Sequence, residues 1–317
     1  MQEDENHFTF TAIDSHTDDR RPIHDDQGPH PKSGTSHSVE ATNAEWEYTV
    51  THDSSKSPVI VGIDGSDAAI RAAEWAIDEA VSRGAPLRLV YVAKAKHLGA
   101  EEYYEDMNRA NASLRAAREA VEASGRRVEI ETDMLEGLPG TALVGASWDA
   151  QMICVGSVGI GRYARSILGS TATELAEAAH CPVAVIRPPS GKHHKDIEWI
   201  VVASKQREDN EDVVDKAMKE ASLRHAPVLL LGDRDPAGAP YANLEGEVDG
   251  WKKRYPDVHI YPVANGADVA HFLKKHDERV QLAVIGGADA DDLAQIVGSS
   301  SHPIFHHADS SALVVRG

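Results

Sequence analysis

One pattern constrains this chain more than any other: strands and helices alternate, and the alternation runs through twice. Pro58-Val59-Ile60-Val61-Gly62-Ile63, Leu87 to Val92, Val128 to Leu135, Gln151 to Gly156 and Pro182 to Ile186 read as five short strands. Helical spacing separates them: Ala69, Ala73, Ala76, Ile77 and Ala80 recur on one face, as do Met107, Ala110, Leu114, Ala117 and Val121. Ser66 is placed to cap the first helix and Gly125 to end the second. Pro139 to Trp148 and Gly169 to His180 give two further helices. Strands joined by helices cannot pair as hairpins, so they form a parallel sheet with both faces covered.

After Ser190-Gly191-Lys192-His193-His194-Lys195-Asp196, which reads as a linker, the plan repeats. Strands are expected at Trp199–Ala203, Val228–Leu231, Val258–Tyr261, Leu282–Ile285 and Ala312–Val315. Helices are expected near 209–225, 243–254 and 267–276, and a glycine loop after Ile285. Cys181 to Arg187 aligns with Ser310 to Arg316, an internal repeat of about 130 residues. The expected fold is α/β: two tandem open parallel five-stranded sheets with helices on both faces. The domains are 58–189 and 196–317, preceded by an extension, 1–57.

The extension holds 12 acidic residues, 4 basic residues and six histidines. It reads as a solvated, mostly disordered tail, with Trp46, Tyr48 and Val50 as a short alternating stretch. Its histidines (His7, His16, His24, His30, His37, His52) have no compact ligand spacing. The whole chain carries 51 acidic and 32 basic residues, a formal charge of −19. Phosphate backbones and anionic lipid repel such a chain, so neither nucleic acid nor a membrane surface is an expected partner. The start of the chain has no apolar stretch of a secretory leader. With only Cys154 and Cys181 and no CxxC, a disulfide scaffold or cysteine zinc site is excluded, and a cytoplasmic setting is expected. Cys154, inside a strand, reads as core. His180 falls at a helix C-terminus, and His302, His306 and His307 read as surface or helix-end residues rather than a metal site.

Ligands of open parallel sheets sit beyond the carboxyl ends of the strands, where the winding reverses. Two segments meet there in the first unit: Val61-Gly62-Ile63-Asp64-Gly65-Ser66, and the loop from Gly156 and Gly159 to Gly169-Ser170-Thr171. The glycines let backbone amides approach a ligand. Gly169, Ser170 and Thr171 open a helix, whose N–H groups suit a phosphate. Asp64 would repel phosphate and is suited to accept hydrogen bonds from a base or ribose. Arg162 and Arg165, in the loop, are candidate phosphate partners. No GxxxxGK[ST], GxGxxG after a strand, or GxSxG elbow is present, which excludes the usual NTPase, dinucleotide and hydrolase readings.

Gly156, Gly159, Gly169 and Ser170 satisfy a G-x2-G-x9-G-[S/T] signature. With Val61 to Ser66, Leu89 to Val92 and Cys181 to Val185, they resemble the universal stress protein family in its two-domain form. The resemblance covers nearly all of 58–187 and, more weakly, 197–316. It implies a five-stranded adenine-nucleotide alpha-hydrolase-like sheet that binds ATP, accompanied by Mg²⁺, or another adenine nucleotide, with cyclic AMP as the alternative. On this resemblance Asp64 and Val92 contact the adenosine, Val155, Gly156 and Gly159 line ribose and phosphates, and Gly169, Ser170 and Thr171 hold the phosphates. It further implies pairing through the fifth strands, within the chain as a pseudo-dimer or between chains as a homo-oligomer.

No general base or metal-ligand set converges on the phosphate end, so a sensor or regulatory binder with at most slow hydrolysis is expected, its 157–168 loop read by a signalling partner. A nucleotide-free scaffold acting by dimerisation is the rival reading. In the second unit Ser204 is expected at the place of Asp64, and Lys205-Gln206 at that of Gly65-Ser66. Asp289 stands in place of Gly159, eight residues separate it from Gly298-Ser299, and this unit is expected not to bind ATP.

Overall fold

A computed structural model describes residues 56–159, 168–187, 198–232, 244–264, 266–276, 279–297 and 310–316. Residues 1–55 of the extension, Arg162, Arg165, the linker, Gly298, Ser299 and the His302–His307 group lie outside these residues.

The first half runs β1 (Val59–Ile63), α1 (Asp67–Arg83), β2 (Leu87–Ala93), α2 (Ala100–Ala123), β3 (Ile130–Glu136), α3 (Pro139–Ala146), β4 (Met152–Gly156), α4 (Ser170–Ala178) and β5 (Val183–Ile186). The second runs β6 (Trp199–Ser204), α5 (Asn210–Arg224), β7 (Val228–Gly232), α6 (Leu244–Arg254), β8 (Ile260–Ala264), α7 (Val269–Lys275), β9 (Val280–Gly286), a 3-10 helix at Gly287–Asp292, α8 (Leu293–Ile296) and β10 (Ser311–Val315).

The two five-strand sets are one sheet of ten strands, ordered β3-β2-β1-β4-β5-β10-β9-β6-β7-β8. All pairings are parallel except the central one, β5 against β10, where Ala312, Leu313 and Val314 face Val185, Ala184 and Val183. The fifth strands therefore pair within the chain. A buried apolar edge is a template for association, and here each half covers the edge of the other.

Each face of the sheet has its own core, and both cores cross the seam. Val59, Val61 and Cys154 pack beneath the alanines of α1, with α2, α5 and α6 on the same side. Ile60, Ile153 and Val155 point to the opposite side, under α3, α4, α7 and α8. Period-two alternation along the strands produces this division. Cys154 is fully buried, as its place in the strand implied, and burial pushes its thiol well above the ordinary range.

Ser66 caps α1 by accepting from the Ala69 N–H at 3.1 Å, and Gly84 closes it in the left-handed region at φ 56°. The equivalent closing residue of α5 is His225, at φ 51°. Two elements depart from the sequence reading. β8 continues through Pro262, where periodicity suggested an end at Tyr261; it is an edge strand bonded only to β7, which tolerates a proline. The glycine loop expected after Ile285 is helical, 3-10 and then α8, from Gly287 to Ile296.

A buried charge cluster fastens α1 to α5 across the seam. Glu79 and Glu220 are each only 1% exposed. Arg83 binds Glu79 at 2.9 Å, Arg224 binds Glu79 at 2.9 Å and Glu220 at 3.1 Å, and Lys216 lies 2.6 Å from Glu220 and 3.5 Å from Glu79. The Arg224 guanidinium also stacks 3.9 Å above the Trp75 ring. Burial alone would raise both carboxyls; around Glu79 the lysine, the hydrogen bond with Glu220 and the two arginines win and hold it low, while Glu220 is pushed up by burial and by Glu79.

Candidate nucleotide cleft

β1 and β4 are neighbours, and the helices that follow them leave on opposite faces of the sheet, so a crevice opens between their carboxyl ends. In the first half it is a cleft of about 640 Å³. Gly62, Asp64, Val92, Val155, Gly156, Gly159, Gly169, Ser170 and Thr171 all line it. Of the sequence candidates, Arg162 and Arg165 lie outside the described residues.

Backbone geometry explains why two of these positions, Gly156 and Gly159, are glycine. A Cβ on Gly156 would lie 2.7 Å from the Ala68 carbonyl carbon and 2.9 Å from the Ala69 nitrogen, so a side chain there would push α1 off the sheet. A Cβ on Gly159 would lie 2.5 Å from Asp64 Oδ2. The loop thus passes directly over the Asp64 carboxylate, which also accepts from the Ser66 N–H at 2.9 Å. A Cβ on Gly169 would touch the Ser157 carbonyl at 3.4 Å, the group to which the Gly169 N–H donates at 2.8 Å.

The cleft has three chemically distinct walls. Val90, Val92, Pro139, Leu143 and Val155 form an apolar slot suited to a flat ring. Opposite the loop, α4 begins with Gly169 as N-cap and without a side-chain cap bond or an acidic residue in its first turn. The N–H groups of Ser170, Thr171 and Ala172 have no partner within the helix and carry its positive dipole end. The third wall comes from β2 and α2: Tyr91, Lys94, Asp106 and Arg109.

Motif reasoning did not single out that third wall. Its one sequence signal is Asp106, an acid on the apolar face of α2 that also carries Ala110 and Leu114. Asp106 is buried and takes the Tyr91 hydroxyl at 3.2 Å and the Lys94 N–H at 3.0 Å, with His97 Nε2 3.0 Å away. Burial disfavours its charge, but these partners overcome that and keep the carboxyl below its ordinary value. It ties the end of β2 to α2 and so fixes the cleft wall. Tyr91 in turn is raised by burial and by that carboxylate.

In the second half the corresponding region is divided: the crevice between β6 and β9 is about 20 Å³, and a separate cavity of about 710 Å³ lies beyond the end of β6 against α5 and α6, lined by Lys205, Arg207, Glu247 and Trp251. Strand register identifies the residues of the crevice. Val59 pairs with Leu87 and Ile200 with Val228, so Ile63 corresponds to Ser204 and Asp64 to Lys205. This corrects the alignment by residue order, which set Ser204 against Asp64; the shift arises because β6 begins one residue before the stretch that matches β1. On β9, Gly286 corresponds to Gly156 and Asp289 to Gly159. Asp289 does not point at an open space. It binds Lys205 Nζ at 2.8 Å and Arg207 at 3.4 Å, closing the crevice from inside.

A family model described as the universal stress protein family matches residues 57–187, the first half. The chain is 56% identical over 260 residues to universal stress protein Rv2624c of Mycobacterium tuberculosis, a match covering 81% of this chain and 96% of that protein. It is 34% identical over 273 residues to universal stress protein Rv2028c of the same species, covering 83% and 98%. Among solved structures, a universal stress protein from Archaeoglobus fulgidus shares the fold, with a TM-score of 0.59 at 17% identity over 82% of this chain and 97% of that one. Both tuberculosis relatives run through the two halves, whereas the family model recognises only the half with the open cleft.

Proposed function

Since this chain belongs to the universal stress protein family, we propose that its first half binds one adenine nucleotide as a regulatory ligand and that its second half binds none. One observation carries the reading: an apolar slot, a carboxylate and an uncapped helix N-terminus share a single cleft in the first half, and an ion pair fills the same place in the second.

The residues present fit such a ligand. The ring enters the slot beside Val92 and Val155. Asp64 accepts from the ribose or the base, a role its charge permits and a phosphate contact does not. The 5′ phosphates meet the amides and hydroxyls of Ser170 and Thr171, with Gly156 and Gly159 leaving the backbone bare. ATP brings Mg²⁺ with it; among the described residues no group of His, Cys, Asp or Glu is placed to hold a metal by itself. On this reading the nucleotide acts as a signal by occupancy rather than as a substrate for turnover.

Purified protein, denatured and analysed for released small molecules, should yield about one adenine nucleotide per chain, or should take up one on titration. ATP and cyclic AMP are separated by mass in the same measurement. The Gly169→Asp variant places a carboxylate where a phosphate would bind and should abolish binding; normal affinity in that variant overturns the site.

A further inference from the structure

Helix α4, which opens onto the cleft, has nine residues and no basic residue in its last turn, just as it has no acid or side-chain cap in its first. Both of its half-charges are therefore left for something else to meet. The carboxyl end is completed from the other half of the molecule. Arg316, immediately after β10, crosses the seam and donates through Nη2 to the Ala176 carbonyl. Ala176 is in the last turn, next to Leu175, whose carbonyl is taken by the Ala179 N–H at 2.9 Å. Gly287 leaves the room for this crossing, because a Cβ there would lie 3.3 Å from Arg316 Cδ and 3.4 Å from Nη1. Arg316 makes the reach although its Nε is buried with no hydrogen-bond partner.

We propose that Arg316 is a positioning residue for the phosphates of the ligand in the first half. This rests on the nucleotide reading of the cleft. The guanidinium holds α4 in place and neutralises its negative end, while a phosphate neutralises its positive end. The two charges act on one dipole and reinforce each other. The second half, whose own crevice is closed, thus contributes a residue to the binding competence of the first.

Pseudo-symmetry supplies a matched control. Arg187 follows β5 as Arg316 follows β10, and it donates across the seam in the opposite direction, to the Val297 carbonyl. Val297 closes α8, a helix of four residues beside the closed crevice. Losing Arg187 removes a comparable seam contact, one made to the carboxyl end of α8 rather than to that of α4.

The test is calorimetric titration of the full chain with ATP and with adenosine, which has no phosphate. Arg316→Ala should weaken ATP by about 3- to 10-fold while leaving adenosine within about twofold. Arg316→Lys should recover most of the ATP affinity, and Arg187→Ala should bind both ligands like the parent. If Arg316→Ala fails to fold, Arg316→Gln, which keeps a donor but no charge, should show the same selective loss. Equal loss for ATP and adenosine, an equal effect of Arg187→Ala, or unchanged ATP affinity in the charge-free variants overturns the proposal while leaving the cleft intact. A parent protein that binds neither ligand overturns the nucleotide reading, and this proposal with it.

Discussion

The two crevices differ by an exchange of charge. In the first half Asp64 stands at the end of β1 under a bare glycine, Gly159. In the second, Lys205 stands at the equivalent place under Asp289, and the two bind each other at 2.8 Å. The same backbone plan gives one continuous cleft of about 640 Å³ in the first half, whereas in the second the crevice between β6 and β9 is only about 20 Å³ and is separate from the cavity of about 710 Å³ beyond β6. A carboxylate facing a glycine leaves a hydrogen-bonding group and empty space. A lysine facing a carboxylate satisfies both charges internally, and a ligand would have to separate them first. The segment after β9 adds to this by winding into helix from Gly287 to Ile296 instead of forming an open loop.

The comparison can be broken most sharply by moving the acid. Gly159→Asp transplants the residue at Asp289 into the first half, where its Cβ would already press on Asp64 and its charge would face that carboxylate unpaired. Adenine-nucleotide affinity should fall by about 100-fold or more, read by titration. Retained affinity would mean that the loop does not approach the ligand.

The halves are joined asymmetrically too, and Glu79 is the group that most of the seam cations contact. Glu79→Ala should destabilise the chain by about 3–5 kcal/mol in urea denaturation, because three cations lose a buried partner. Its carboxyl is held below its ordinary value near 4.5. The stabilisation it provides is therefore full above that pH and is lost as the pH falls below it. The parent should lose stability on acidification more steeply than Glu79→Gln; parallel curves would show that the cluster carries no net charge coupling.

A smaller effect separates the helix ends. Gly84 closes α1 at a left-handed φ without strain, while His225 does so in α5 with a side chain. His225→Gly should stabilise the chain by roughly 0.5–1 kcal/mol, measured in the same denaturation. Destabilisation would show that the exposed His225 ring contributes more than its backbone costs.

The smallest expected effect is a null. The double variant Lys205→Asp with Asp289→Gly restores the first-half charges in the second half, yet should still take up no nucleotide, because helix occupies the loop position. A second equivalent of bound ATP would show that the ion pair alone keeps this half silent.

Much of this architecture is written in local patterns. The apolar run Val59–Ile63 and the helical spacing along Ala69–Ala80 depend on neighbours a few residues away, so most elements could be located from the sequence, the helix after β9 excepted. The glycine and hydroxyl positions that line the cleft were also legible, since Gly156 and Gly159 serve close approach, which sequence spacing records. Asp106 was not recognised, because its partners Tyr91, Lys94 and His97 are defined by how β2 meets α2. The lysine at the Asp64 place was misassigned because a one-residue offset is invisible until strands pair in register.

The sequence by itself determined the two parallel α/β halves, their order, and which half keeps the open glycine loop, since all three follow from short-range spacing. Only the tertiary structure decided that the halves share one sheet through β5 and β10, that Lys205 and Asp289 close the second crevice, and that Arg316 completes a helix of the first half. Each of these is a contact between residues far apart in the chain. Such contacts depend on register, on which edges meet, and on the reach of single side chains, and none of these has a local signature.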